Sequence, residues 1–136
     1  MKITIKNLQN KLIIHPIKIK RLIFKILKNE KFKKNGHINL CFVNNQLIRK
    51  FNTKFHKTKD FTDVLAFNLS NTDDELLADI MISTDMAIKQ SITFKTTVGY
   101  ELHLYVAHGL LHLLGYNDQT KTQTELMRNK EKQYVN

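Results

Sequence analysis

The run from Thr97 to Leu114 constrains this chain more than any other segment. It carries Leu102, Leu104, Val106, Ala107, Leu110, Leu111, Leu113 and Leu114, so on a helix apolar side chains fall on nearly every side. A helix of that kind is buried rather than laid on a surface. In a chain of 136 residues, burying it requires the other elements to be layered around it. Gly115 follows at once, a residue suited to the left-handed conformation that ends helices.

Two histidines interrupt the apolar run. His108 and His112 lie four apart, which places both imidazoles on one face, one turn above the other. Zinc proteases use that helical spacing. If Gly115 turns the chain back, Asp118 can reach the same point. Two nitrogens and a carboxylate oxygen then fill three positions of a zinc ion and leave a fourth open, the requirement for a catalytic site. The ordinary alternative is a pair of histidines satisfied by hydrogen bonds. Burying two imidazoles on an apolar helix without partners is costly, however, and a metal supplies the partner. In zinc proteases a glutamate follows the first histidine as general base, whereas Gly109 stands here. A peptidase is therefore disfavoured, and any proton-transfer group lies elsewhere.

The remaining pattern predicts alternating strands and helices. Lys2 to Asn7 alternates as a strand. After Pro16, the only proline, Ile19, Leu22, Ile23, Ile26 and Leu27 recur at helical spacing to about Lys28. Lys31 to Gly36 reads as a basic loop, and His37 to Val43 as a strand with Ile38, Leu40 and Phe42 on one face. Asn44 or Asn45 caps a helix carrying Leu47, Ile48, Phe51 and Phe55. A polar loop from His56 to Phe61 leads to strands at Asp63–Leu69 and Leu76–Ser83, spaced as an antiparallel pair. Ser83 or Thr84 caps a helix to about Ser91, and a polar helical tail follows Thr120 with Leu126 and Met127 as anchors. The expected fold is α+β, a small mixed sheet of about four strands packed with about five helices, one of them a metalloprotease-like zinc helix. With no repeat and no Pro/Gly/Ser linker, residues 1–136 are read as a single domain.

Cysteine and charge bound the function. Cys41 is alone, so neither an internal disulfide nor a cysteine-only zinc site is possible. No secretory signal and no apolar stretch of about 20 residues is seen, so a soluble intracellular protein without a membrane span is expected. The net charge is +10, but residues 1–60 hold 16 Lys/Arg against two acids, while residues 61–136 hold six against ten. That basic half suits RNA phosphates.

At this point the sequence resembles the YbeY rRNA maturation factors, whose signature reads H-G-x-L-H-L-x-G-Y-D-H. His108 to Asp118 follows it through Tyr116. A second family segment, N-x-x-Y-R-x-x-D-x-P-T-D-V-L-S-F, is similar to Asn52 to Phe67, and a G-D-I segment to Ala78-Asp79-Ile80. The resemblance implies one zinc ion on the signature, single-strand-specific endoribonuclease activity in small-subunit rRNA maturation and ribosome quality control, and a cytoplasmic location. The family's third histidine is Asp118 here, a competent zinc ligand that lowers the ion's net charge. Its arginine is His56, which can donate to a phosphate or shuttle a proton as a weaker clamp than guanidinium. Phe61 and Ala66 replace a proline and a serine.

The expected mechanism is metal-assisted RNA cleavage. His108, His112 and Asp118 hold zinc, His56 stands by the scissile phosphate as the catalytic side chain, and Lys54, Lys57 and Lys59 hold the flanking RNA backbone. Asp79 is either an acceptor orienting a ligand histidine or a hydrogen-bonded strand-edge acid, and Asp63 either a turn-forming or capping residue or a site residue. His103 falls about 140° around the helix from His108 and is not expected to join. One alternative is a ribosome-associated RNA-binding factor with structural zinc and weak or lost nuclease activity. Another is a zinc hydrolase for a small molecule.

Overall fold

A computed structural model describes residues 1–56 and 63–135, with the side chains of residues 53–56 outside the description. The chain runs β1 (Lys2–Asn7), α1 (Pro16–Asn29), β2 (Asn35–Val43), α2 (Asn45–His56), β3 (Val64–Asn68), β4 (Glu75–Ser83), α3 (Thr84–Phe94), α4 (Val98–Leu113) and α5 (Lys121–Tyr134). The order of elements agrees with the sequence reading. The basic loop is shorter than expected, because Asn35 and Gly36 already pair with Glu75 and Leu76.

The sheet order is β1-β2-β4-β3. β1–β2 and β2–β4 are parallel, and β3–β4 is the expected antiparallel pair. Ser70 secures that hairpin, its hydroxyl accepting from the Leu77 N–H while the Leu69 N–H donates to the Leu77 carbonyl.

Strand alternation sends Ile38, Leu40 and Phe42, with Ala78, Ile80 and Ile82, to one face of the sheet. There they meet α1 through Ile19, Leu22, Ile23, Ile26 and Leu27, the predicted set, and α4 through Val106, Leu110 and Leu111. The opposite face carries Met81 and Leu65 under Ile48 of α2. Asn44 caps α2, its Oδ1 accepting from the Leu47 N–H, and Ser83 caps α3 by accepting from the Met86 N–H. In the tail Met127 is buried as expected, but Leu126 is exposed; Tyr134 is the second anchor, seven residues on from Met127 and on the same face.

Gly109 explains how closely α4 lies on the sheet. A Cβ added there would sit 3.0 Å from Ile80 Cγ2 and 3.1 Å from Val64 Cγ2. The position that carries a general base in zinc proteases is thus turned into the core here. Gly109→Glu would bury a carboxylate between two branched side chains. A loss of about 3 kcal/mol or more in chemical denaturation is expected; unchanged stability would mean that α4 does not sit in this rotation.

Candidate metal centre

Three elements build the centre. α4 supplies His108 and His112 from its last turns, with ring centroids 4.5 Å apart and planes at 81°. The helix then stops in a Schellman motif: Gly115 has φ +106, its N–H donates to the His112 carbonyl, and the Tyr116 N–H donates to the Leu111 carbonyl. The turn delivers Asp118, which the first turn of α5 holds in place. Thr124 Oγ1 donates to the Asp118 carbonyl, and Gln123 Oε1 accepts from the N–H groups of Gln119 and Thr120.

The result is a triangle of potential ligand atoms. His108 Nε2 and His112 Nε2 are 3.0 Å apart, and Asp118 Oδ2 is 3.5 Å from the first and 3.4 Å from the second. Four-coordinate zinc with bonds of about 2.0–2.1 Å sets ligand atoms about 3.3 Å apart. The three separations straddle that value. Among the described residues this is the one cluster of histidine, cysteine or carboxylate side chains arranged to hold a metal ion.

Glu131 of α5 completes the arrangement. Its Oε1 is 2.5 Å from His108 Nδ1, which fixes His108 with Nδ1–H donating to the carboxylate and the Nε2 lone pair turned to the triangle. Burial pushes the His108 imidazole down, but the hydrogen bond and charge of Glu131, aided by Asp63 and Asp118, hold its pKa above the ordinary value. The histidine is thereby a more basic ligand. Sequence reasoning missed Glu131, although its spacing of four from the buried Met127 placed it on the inward face of the tail helix.

Asp79 does not fill that role. It lies on the opposite face of the sheet from α4, where its Oδ1 accepts from Asn39 Nδ2 at 3.1 Å; it is a hydrogen-bonded strand acid, but on an interior strand rather than an edge, since β4 is paired with both β2 and β3. The carbonyl of Asp63 accepts from the Ser83 N–H, and its charge helps raise the pKa of His108. His103 stands apart from the triangle, where burial and the neighbouring Lys18 and His15 lower its pKa. Lys57 and Lys59 lie outside the described residues; His56 and Lys54 end α2, and their side chains lie outside the description.

A further anchor joins α1 to this assembly. Glu30 accepts from Tyr116 Oη at 2.5 Å, from Lys130 Nζ at 3.1 Å and from Tyr134 Oη. Burial pushes its carboxyl up, but these three donors outweigh that and hold it below the usual range. Tyr116 precedes Asp118 by two residues, and Lys130 precedes Glu131 by one. The carboxylate at the cap of α1 therefore ties down both segments that shape the centre.

The chain is similar in sequence and fold to known proteins. A family profile described as Endoribonuclease YbeY matches residues 4–136. A Clostridioides difficile protein named Endoribonuclease YbeY is 34% identical over 126 residues, covering 88% of this chain and 82% of that protein. One of the same name from a Thermoanaerobacter species is 31% identical, covering 99% and 96%. The solution structure of a Thermotoga maritima protein superposes with a TM-score of 0.69 at 28% identity, covering 98% of this chain and 86% of that one.

Removing the carboxylate behind His108 should loosen the metal without unfolding the chain. For Glu131→Ala, a competition titration with a chromogenic chelator is expected to show zinc affinity reduced about 10–100-fold. Wild-type affinity in that variant would deny Glu131 any part in the centre.

Proposed function

This chain belongs to the YbeY endoribonuclease family, and we propose that it is a zinc-dependent endoribonuclease acting on single-stranded RNA in 16S rRNA 3′-end processing and in maturation and quality control of the small ribosomal subunit, in the cytoplasm. The observation that carries the reading is the triangle of His108 Nε2, His112 Nε2 and Asp118 Oδ2, which suits one ion and leaves a coordination position free.

In this reading His108, His112 and Asp118 hold zinc, which when bound lends Lewis acidity to a phosphodiester and acidity to water. The protein's own groups do the rest. Glu131 keeps His108 in the tautomer that presents Nε2. Asp118 adds negative charge to the ligand set, and Asp63 adds more beside it. His56, at the position of the family's arginine, donates to the scissile phosphate or moves a proton near neutral pH. Lys54, Lys57 and Lys59 hold the flanking backbone. Gly109, packed against Ile80 and Val64, takes no part in proton transfer. No helix among the described residues is long and apolar enough to cross a membrane.

The substitutions at residues 56 and 118 favour one second reading, an RNA-binding maturation factor with structural zinc and weak or lost nuclease activity. Incubating zinc-loaded protein with a single-stranded RNA, with and without chelator, separates the two. Cleavage that chelator abolishes and added zinc restores is the expected outcome. Intact RNA at high protein concentration with one zinc bound would overturn the nuclease reading in favour of the second.

A further inference from the structure

A second concave surface opens beside the centre. It lies between the loop after α1 and the turn after α4, has a volume of about 540 Å³, and its lining includes Glu30, Lys31, Phe32, Lys33, Lys34 and Tyr116. That volume falls within the range of small-molecule sites.

Both walls are built by the same device. α1, like α4, ends in a Schellman motif: Lys31 has φ 57, its N–H donates to the Lys28 carbonyl, and the Phe32 N–H donates to the Leu27 carbonyl. Phe32 and Tyr116 occupy equivalent positions in the two motifs, and each packs partly buried against the core. Tyr116 is further fixed through its hydroxyl on Glu30. The groove is thus bounded by two partly exposed rings whose backbones are pinned.

Its lysines form no ion pair among the described residues. Apart from the contacts of His108 and His112, the ion pairs among the described residues are Lys11–Asp85 and Lys130–Glu30. Glu30, the acid at the groove, is already taken by Lys130 and two tyrosines. Lys31, Lys33 and Lys34, all exposed, therefore present three cations that pair with no acid among the described residues. The groove also adjoins the centre. Tyr116 and Asp118 are two residues apart, so their Cα atoms are separated by at most about 7 Å.

From this we infer that the groove is a nucleotide subsite of the RNA track. Lys31, Lys33 and Lys34 bind backbone phosphates flanking the scissile bond, and a base stacks against Phe32 or Tyr116. Aromatic faces beside a cationic channel are the usual means of holding single strands without reading their sequence. The inference rests on the RNA reading given above and adds to it where the strand runs, along the end of α1 rather than only past the segment that follows α2.

The test uses the zinc-loaded protein and a fluorescent single-stranded oligonucleotide, with affinity measured across a salt series. In Lys31→Gln/Lys33→Gln/Lys34→Gln, Kd is expected to rise at least about tenfold near 0.1 M salt. The slope of log affinity against log salt should fall by about 2, since each phosphate contact on a single strand contributes about 0.7. Zinc stoichiometry should stay at that of wild type. A second variant, Lys18→Gln/Lys20→Gln/Arg21→Gln, removes the same charge from exposed positions of α1 away from the groove and should lose much less. Equal losses in the two variants would overturn the subsite in favour of diffuse attraction. An unchanged groove variant beside a salt-sensitive wild type would overturn it while leaving the RNA reading intact. A wild-type protein that binds no RNA would remove both.

Discussion

With both histidines neutral, three lone pairs converge where α4 ends, and one shared proton does not satisfy them all. When His108 is neutral and donates from Nδ1 to Glu131, its Nε2 accepts; Asp118 Oδ2 also accepts; and a proton on His112 Nε2 can serve just one of the two. A cation satisfies all three at once. The rest of the molecule can be understood as the means of holding these atoms together at a cost that the core offsets.

That means is a chain of short-range devices. Close approach at Gly109 presses α4 onto β3 and β4, which sets the rotation that turns His108 and His112 toward α5. The left-handed Gly115 reverses the chain, and the capping box of Thr120 and Gln123 fixes where the reversed segment begins α5. Met127 and Tyr134 then bury the inner face of that helix and bring Glu131 to His108. Glu30 links the two segments to α1. An acid just after the first helix is in this way coupled to the candidate metal centre at the junction of the last two.

Much of this was legible in the sequence because it is local. The apolar period of α1 identified its five buried residues, and the spacing of His108, His112, Gly115 and Asp118 gave the triangle, since helix geometry and a glycine stop are properties of consecutive residues. What depends on distant segments was not legible. Periodicity says which face of β4 is buried but not which strands flank it, so the side on which Asp79 emerges could not be settled beforehand. Glu131 and Glu30 escaped notice because their partners lie 23 and 86 residues away. The tail was read with Leu126 as an anchor, whereas Tyr134 has that role because its hydroxyl finds a carboxylate that no local pattern announces.

The most direct examination of the centre is elemental analysis of purified protein after equilibration with zinc and removal of the excess, carried out on wild type and on His112→Ala. One zinc per chain in wild type and none retained by the variant, with far-ultraviolet circular dichroism unchanged, is the result that follows from the geometry. A variant that still holds one tightly bound zinc would show that His112 is no ligand and that the three atoms do not act as a unit.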